Sequence, residues 1–207
     1  LVRFILYFSL FIVVANTIKK NQITGMVNVI LTTGIFFILL GFLQLIIFPD
    51  LSFLTIYGWD PHQRRIASTL LDPNFSGWLF TFFFSTATAL YLYKRQTRYL
   101  TFSLITFLAI VLTFSRSTYL AWTTAVLIMG ILKSPKLLLA SLIIFTLTFF
   151  SIGQVRSRII GALEVDETAQ ARLQSWQNAL TIFKGNLAFG VGFNTYRFAQ
   201  DKYGLFS

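Results

Sequence analysis

The chain has 207 residues, of which 56% are hydrophobic and 17% aromatic, with only 12% charged and no cysteine. Soluble domains carry about 25% charged residues, so this composition argues for an integral membrane protein; the 24 phenylalanines exclude disorder, and the missing cysteines exclude disulfide frameworks and Cys-ligated metal or redox sites. The formal charge of +10 is spread over short basic clusters between apolar runs, the pattern that orients membrane proteins and not that of a nucleic-acid binder.

A helix rises about 1.5 Å per residue, so roughly 17 to 25 apolar residues cross a hydrocarbon core. Six uncharged runs meet or approach that length: Phe4–Ile18, Ile23–Phe48, Phe75–Tyr93, Tyr99–Phe114, Thr118–Leu132 and Leu137–Val155. The first reads as a span or the remnant of one and not as a signal peptide, because no n-region, short apolar region and small-residue cleavage site stand at the front. The chain opens at Leu1 and stops at Ser207 in a polar stretch, and reads as a piece of a longer protein. The expected fold is all-α: a polytopic transmembrane bundle of about six spans over residues 1–155, then residues 156–207 as the start of a large extracytoplasmic loop.

A single helix from Tyr99 to Leu132 would stretch about 51 Å and put the Lys94 and Lys133 clusters on opposite faces. Two short spans turning at Ser115-Arg116-Ser117 keep them on one face, which the positive-inside rule makes cytoplasmic. Seven basic residues then lie inside: Lys19, Lys20, Lys94, Arg95, Arg98, Lys133 and Lys136. All seven acids lie outside with ten basic residues, eight of them arginines: Arg3, Arg64, Arg65, Arg116, Arg156, Arg158, Arg172 and Arg197. Lysine suffices as a topology anchor, whereas arginine offers a planar fork for two-point contact with phosphate.

The loop from Pro49 to Asn74 mixes aromatic and charged residues and is expected to lie on the membrane surface, with Tyr57 and Trp59 in the headgroup layer. Asp72-Pro73 reads as an N-cap followed by proline at the first helical position. Arg64 and Arg65 precede that helix start and suit either an anion or lipid headgroups. Arg116 interrupts an uncharged stretch, where a charge is costly and is either functional or snorkelling. His62, the only histidine, reads as incidental. From Glu164 to Lys184 an amphipathic helix is expected, with Ala169, Leu173, Trp176, Leu180 and Phe183 on one stripe and Gly185 as terminator; Arg172 falls off the stripe. Gly190-Val191-Gly192 has neither a preceding strand nor a following Gly-Lys-Ser/Thr, so it is weak as a nucleotide motif.

Arg65, then Leu71-Asp72-Pro73-Asn74 at a span start, Ser115-Arg116, Arg172-x-x-x-Trp176 and Gly190-Val191-Gly192-Phe193 occur in this order. The series resembles the O-antigen ligase and O-antigen polymerase-like (Wzy_C) membrane family over roughly Arg64 to Tyr196. The resemblance implies a glycosyltransferase of the bacterial inner membrane that moves a saccharide from a polyprenyl-pyrophosphate carrier to a saccharide or lipid acceptor on the outer side. It implies Arg65 and Arg116 as catalytic pyrophosphate-binding arginines, with Arg64, Asn74, Ser115 and Arg172 as substrate-binding residues, and no metal or cofactor. The family's histidine base lies in the outer loop beyond the glycine-rich turn, a position past Ser207, and His62 cannot stand for it. The competing classes are a membrane transporter and a non-enzymatic membrane subunit; no acid lies within a span, which disfavours ion coupling.

Overall fold

The computed structural model describes residues 2–58, 60–161, 167–187, 190–192 and 194–205, with the backbone alone for residues 3 and 167–169. Trp59, Glu164, Asp166 and Phe193 lie outside the described residues, as does the side chain of Ala169. The chain is helical and forms two compact units, one of Leu1–Lys19 with Gly161–Ser207 and the other of Lys20–Ile160.

The larger unit holds α2 (Lys20–Ile47), α3 (Pro73–Lys94), α4 (Thr97–Leu112), α5 (Arg116–Lys133), α6 (Pro135–Ser151) and α7 (Gly153–Ile160). The smaller holds α1 (Val2–Thr17), α8 (Glu167–Lys184) and α9 (Tyr196–Lys202). Local chemistry sets the helix ends. Asp72 caps α3 by accepting from the backbone N–H of Asn74 at 2.6 Å and of Phe75 at 3.0 Å, and Pro73 supplies the preset first turn. Ser115 caps α5 by accepting from the N–H of Thr118, and Pro135 opens α6. Gly185 follows the last turn of α8 as expected, its N–H donating to Thr181.

The six apolar runs each become a helix at about the expected bounds, but the count of about six spans is not carried over. By length and composition α2 and α3 are apolar helices long enough to cross a membrane, and α6 with α7 makes a third only as a broken span. The expected single span Leu137–Val155 is wrong in shape, because the helix breaks at Ile152 and α7 departs at 101°. The bend has a packing cause. It turns Val155 into the core, where it is 1% exposed.

The Tyr99–Leu132 stretch is divided at residues 113–115, with Phe114 at φ +46°, so α4 and α5 are separate helices. Arg95 from the end of α3 and Lys133 and Lys136 from the α5–α6 turn line one cavity, so these basic clusters share one end of the unit. The core between α2, α3, α4, α5 and α6 is strongly aromatic: Trp122 stacks on Phe145 with centroids 5.6 Å apart, and Phe107 lies 4.9 Å from Trp122.

The Pro49–Asn74 loop is not exposed throughout. Its first part does lie open, with Phe53, Ile56 and Tyr57 exposed. Its second part enters the bundle: Ile66 and Ala67 are 0% exposed, the Ile66 N–H donates to the Leu112 carbonyl at 3.0 Å, and Gln44 of α2 accepts from the N–H of Ala67 at 2.8 Å. An apolar Ile-Ala pair gains more by burial than at the interface, provided its backbone donors find partners, and Gln44 and Leu112 supply them.

Candidate functional site

At the end of the larger unit opposite the Lys133 turn, the loop before α3, the α4–α5 turn and α7 converge. Arg65 is half-buried there. Its Nε donates to the Thr113 carbonyl at 2.7 Å, its Nη2 to the Phe114 carbonyl at 3.3 Å, and its Nη1 lies 3.4 Å from His62 Nδ1. The guanidinium therefore fastens the loop to the C-terminal end of α4, where unsatisfied carbonyls and the negative end of the helix dipole favour a cation. Burial, and next the nearby Arg158 charge, lower its pKa to about 10, which still leaves it charged at neutral pH.

His62 is buried beside Arg65, with Nε2 4.0 Å from Asp72 Oδ2. Burial first, and then the Arg65 charge, hold its pKa below the ordinary histidine value. A neutral imidazole accepting from Arg65 at Nδ1 directs its Nε2–H toward Asp72. Asp72 thus caps α3 with one oxygen and faces His62 with the other. A lone histidine in a loop gave no sign of this position in the sequence.

Asn74 and Ser115 come together from 41 residues apart: the Ser115 hydroxyl donates to Asn74 Oδ1 at 2.6 Å, and Ser117 Oγ lies 3.4 Å from the same oxygen. What brings them together is Gly77, one turn into α3. A Cβ at this position would overlap Oγ1, Cγ2 and Cβ of Thr118, so the two helices cross too closely for any other residue. Sequence reasoning overlooked Gly77, whose only signal is its place one turn after the capped start of α3.

Arg116 occupies the first turn of α5, the end at which the helix dipole disfavours a cation and favours an anion. Its Nε donates to the Arg158 carbonyl at 3.1 Å, near the C-terminal end of α7. The chain carries Arg116 within two residues of Phe114, whose carbonyl Arg65 holds, and the Arg158 charge acts on both Arg65 and His62. Arg65, Arg116 and Arg158 are therefore neighbours. Arg158 was visible in the sequence only as one of eight outer arginines; the bend at Ile152 is what returns it to the site. Four residues at this end, Arg64, Ser68, Leu71 and Phe114, have positive φ without being glycine, a backbone cost of order 1 kcal/mol each that the surrounding packing must offset.

Residues 101–206 match the family described as Wzy_C, O-antigen ligase. The chain belongs to the O-antigen ligase family. No curated protein and no solved structure matches it. The Wzy_C match takes in Ser115, Arg116, Arg158 and Arg172 and begins after Arg64, Arg65 and Asn74, so it is shorter at its start than the stretch from Arg64 that the sequence suggested. Together with the apolar helices, it makes this a membrane protein of O-antigen ligase type.

Arg64 and Arg172, also singled out by sequence, take no part in the contacts just described. Arg64 is exposed and lines a separate cavity of about 450 Å³ with Asp50, Gln63 and Gln154, so its guanidinium shares space with a carboxylate. Arg172 is exposed on α8, in the other compact unit. On the same helix Leu173, Trp176, Leu180 and Phe183 are exposed, so the amphipathic stripe is present over the described residues and faces outward.

Proposed function

We propose that this O-antigen ligase family member transfers a saccharide from a polyprenyl-pyrophosphate carrier to an acceptor hydroxyl at the outer face of the bacterial inner membrane. In that reaction the acceptor oxygen bonds to the anomeric carbon as the bond from that carbon to the phosphate oxygen breaks. The electron pair leaves with the polyprenyl pyrophosphate, and the acceptor proton passes to a base. Charge develops on the leaving diphosphate, where fixed cationic donors stabilise it most.

The observation that carries the reading is the gathering of Arg65, Arg116 and Arg158 at the N-terminal end of α5 beside the Asn74–Ser115 pair. Arg65 has its Nε and Nη2 committed to carbonyls, so its part is a fixed positive charge that also shapes the α4–α5 turn. Arg116 and Arg158 supply the remaining cationic donors, and Asn74 and Ser115 are placed to orient the sugar phosphate. His62 faces Arg65 with one nitrogen and Asp72 with the other, which suits a positioning role and leaves the acceptor's proton to the outer-loop histidine of the family. The outer location of this end rests on the opposite end bearing Arg95, Lys133 and Lys136.

Arg116→Lys in the full-length protein keeps the charge and loses the planar fork. It is expected to lower glycan transfer from lipid-linked donor by about 100-fold, the cost typical of losing one preorganised donor, with unchanged protein level in the membrane. Wild-type transfer by both this variant and Arg65→Lys would refute the assignment.

A further inference from the structure

A cavity in the larger unit lies at the end away from the arginine group. About 540 Å³ of space opens between the C-terminal halves of α3 and α5 and the N-terminal halves of α4 and α6, a volume within the range of small-molecule sites. Its deep wall is apolar, with Leu92, Leu104, Phe107 and Ile144, whereas Arg95, Lys133 and Lys136 stand exposed around its mouth.

No carboxylate lines this cavity among the described residues, and the three acids of the unit, Asp50, Asp60 and Asp72, all belong to the loop before α3. The sequence holds no Asp or Glu between Asp72 and Glu164, and Asp72 caps the far end of α3, about 33 Å along the helix from Arg95. Lys94 and Arg98 at the same end are engaged by Tyr99: the Lys94 Nζ is 6.0 Å from the ring centroid, the Arg98 guanidinium 4.8 Å, and Arg98 Nη2 donates to the Tyr99 hydroxyl.

Two further features suit an anion. Lys136 sits in the first turn of α6, where the dipole opposes a cation unless an anion is bound between them. Ser134, the N-cap of that helix, makes no side-chain capping bond. Within the cavity wall, Trp122 is 4% exposed and its Nε1–H has no hydrogen-bond partner among the described residues.

We propose that this cavity holds an anionic glycerophospholipid, with the phosphate headgroup between Arg95, Lys133 and Lys136 at the start of α6 and one acyl chain along the apolar wall. Basic pockets between membrane helices recognise such lipids by this combination of charge and depth. A soluble anion would have no use for the apolar depth, and a zwitterionic lipid would leave the cations without net counter-charge.

Native mass spectrometry of the detergent-purified full-length protein tests the site without any reading of glycosyl transfer. The probes are dioleoylphosphatidylglycerol, dioleoylphosphatidylcholine and glycerol 3-phosphate. Wild type is expected to retain phosphatidylglycerol at least tenfold more tightly than phosphatidylcholine, with no displacement by equimolar glycerol 3-phosphate. Each cation near a headgroup contributes about fivefold, so Lys133→Gln or Lys136→Gln alone should weaken retention by about that factor, and the two with Arg95→Gln on the order of 100-fold. Ala140→Trp, which keeps the charges and fills the wall, should also abolish retention. Melting curves without added lipid identify variants that fail to fold, and the two exposed single-lysine variants carry the test if the triple variant does. Equal retention of the two lipids by wild type, wild-type retention by the lysine variants or by Ala140→Trp, or displacement by glycerol 3-phosphate would each overturn the proposal.

Discussion

Gly77→Ala isolates the contact that assembles the site. In an ordinary helix this change stabilises by about 1 kcal/mol. Here the added methyl meets Oγ1, Cγ2 and Cβ of Thr118 together, so no rotation of the threonine relieves it, and α3 must move away from α5. Overpacking of that kind costs about 1–3 kcal/mol. An overlap with a whole β-branched side chain belongs at the upper end, leaving a net loss of about 1–2 kcal/mol after the helix gain. In a Thr118→Gly background the obstacle is gone, and Gly77→Ala should stabilise by about 1 kcal/mol, giving a coupling of about 2–3 kcal/mol in the double-mutant cycle. Denaturant unfolding of the four proteins in one detergent, followed by circular dichroism, measures it. The displacement also opens the 2.6 Å Asn74–Ser115 bond, so transfer by Gly77→Ala should fall more than its stability does. If Gly77→Ala stabilises equally in both backgrounds, α3 and α5 do not meet at this point and the argument for Asn74 and Ser115 as partners fails.

Ser115→Ala removes both the α5 cap and the donor to Asn74, and is expected to lower unfolding stability by about 1–2 kcal/mol, with Ser115→Thr largely restoring it. Arg65→Lys replaces a fork held by the Thr113 and Phe114 carbonyls with a single ammonium; a loss of about 1–3 kcal/mol and a lower melting temperature should follow, whereas an unchanged melting temperature would show that the α4 end needs no such fork. His62 has a folded pKa below its unfolded value of 6.5, so in acid the unfolded chain takes up the proton first. Its contribution is constant above that value and is lost as pH falls through and below it; melting temperatures between pH 7.5 and 5 should therefore drop less steeply in His62→Gln than in wild type.

Periodicity, charge and short motifs were enough for the helices, because uninterrupted apolar runs and caps such as Asp72-Pro73 act locally on the chain that contains them. That the Tyr99–Leu132 stretch divides was legible too, since one 34-residue helix would have separated basic clusters that prefer one face, although the break falls at residues 113–115 and Arg116 and Ser117 already belong to α5. The order of Arg65, Asn74, Ser115 and Arg116 also carried the family resemblance. None of this could say what each arginine touches. That Arg65 spends part of its fork on the α4 carbonyls, that Arg158 returns beside it through a 101° bend, and that His62 is buried between Arg65 and Asp72 depend on contacts between distant segments. The same holds for the burial of Ile66 and Ala67, which have the composition of an interfacial loop until Gln44 and Leu112 offer partners for their backbone. Composition along a chain determines which segments leave water, whereas only their packing decides which polar groups then have to satisfy one another.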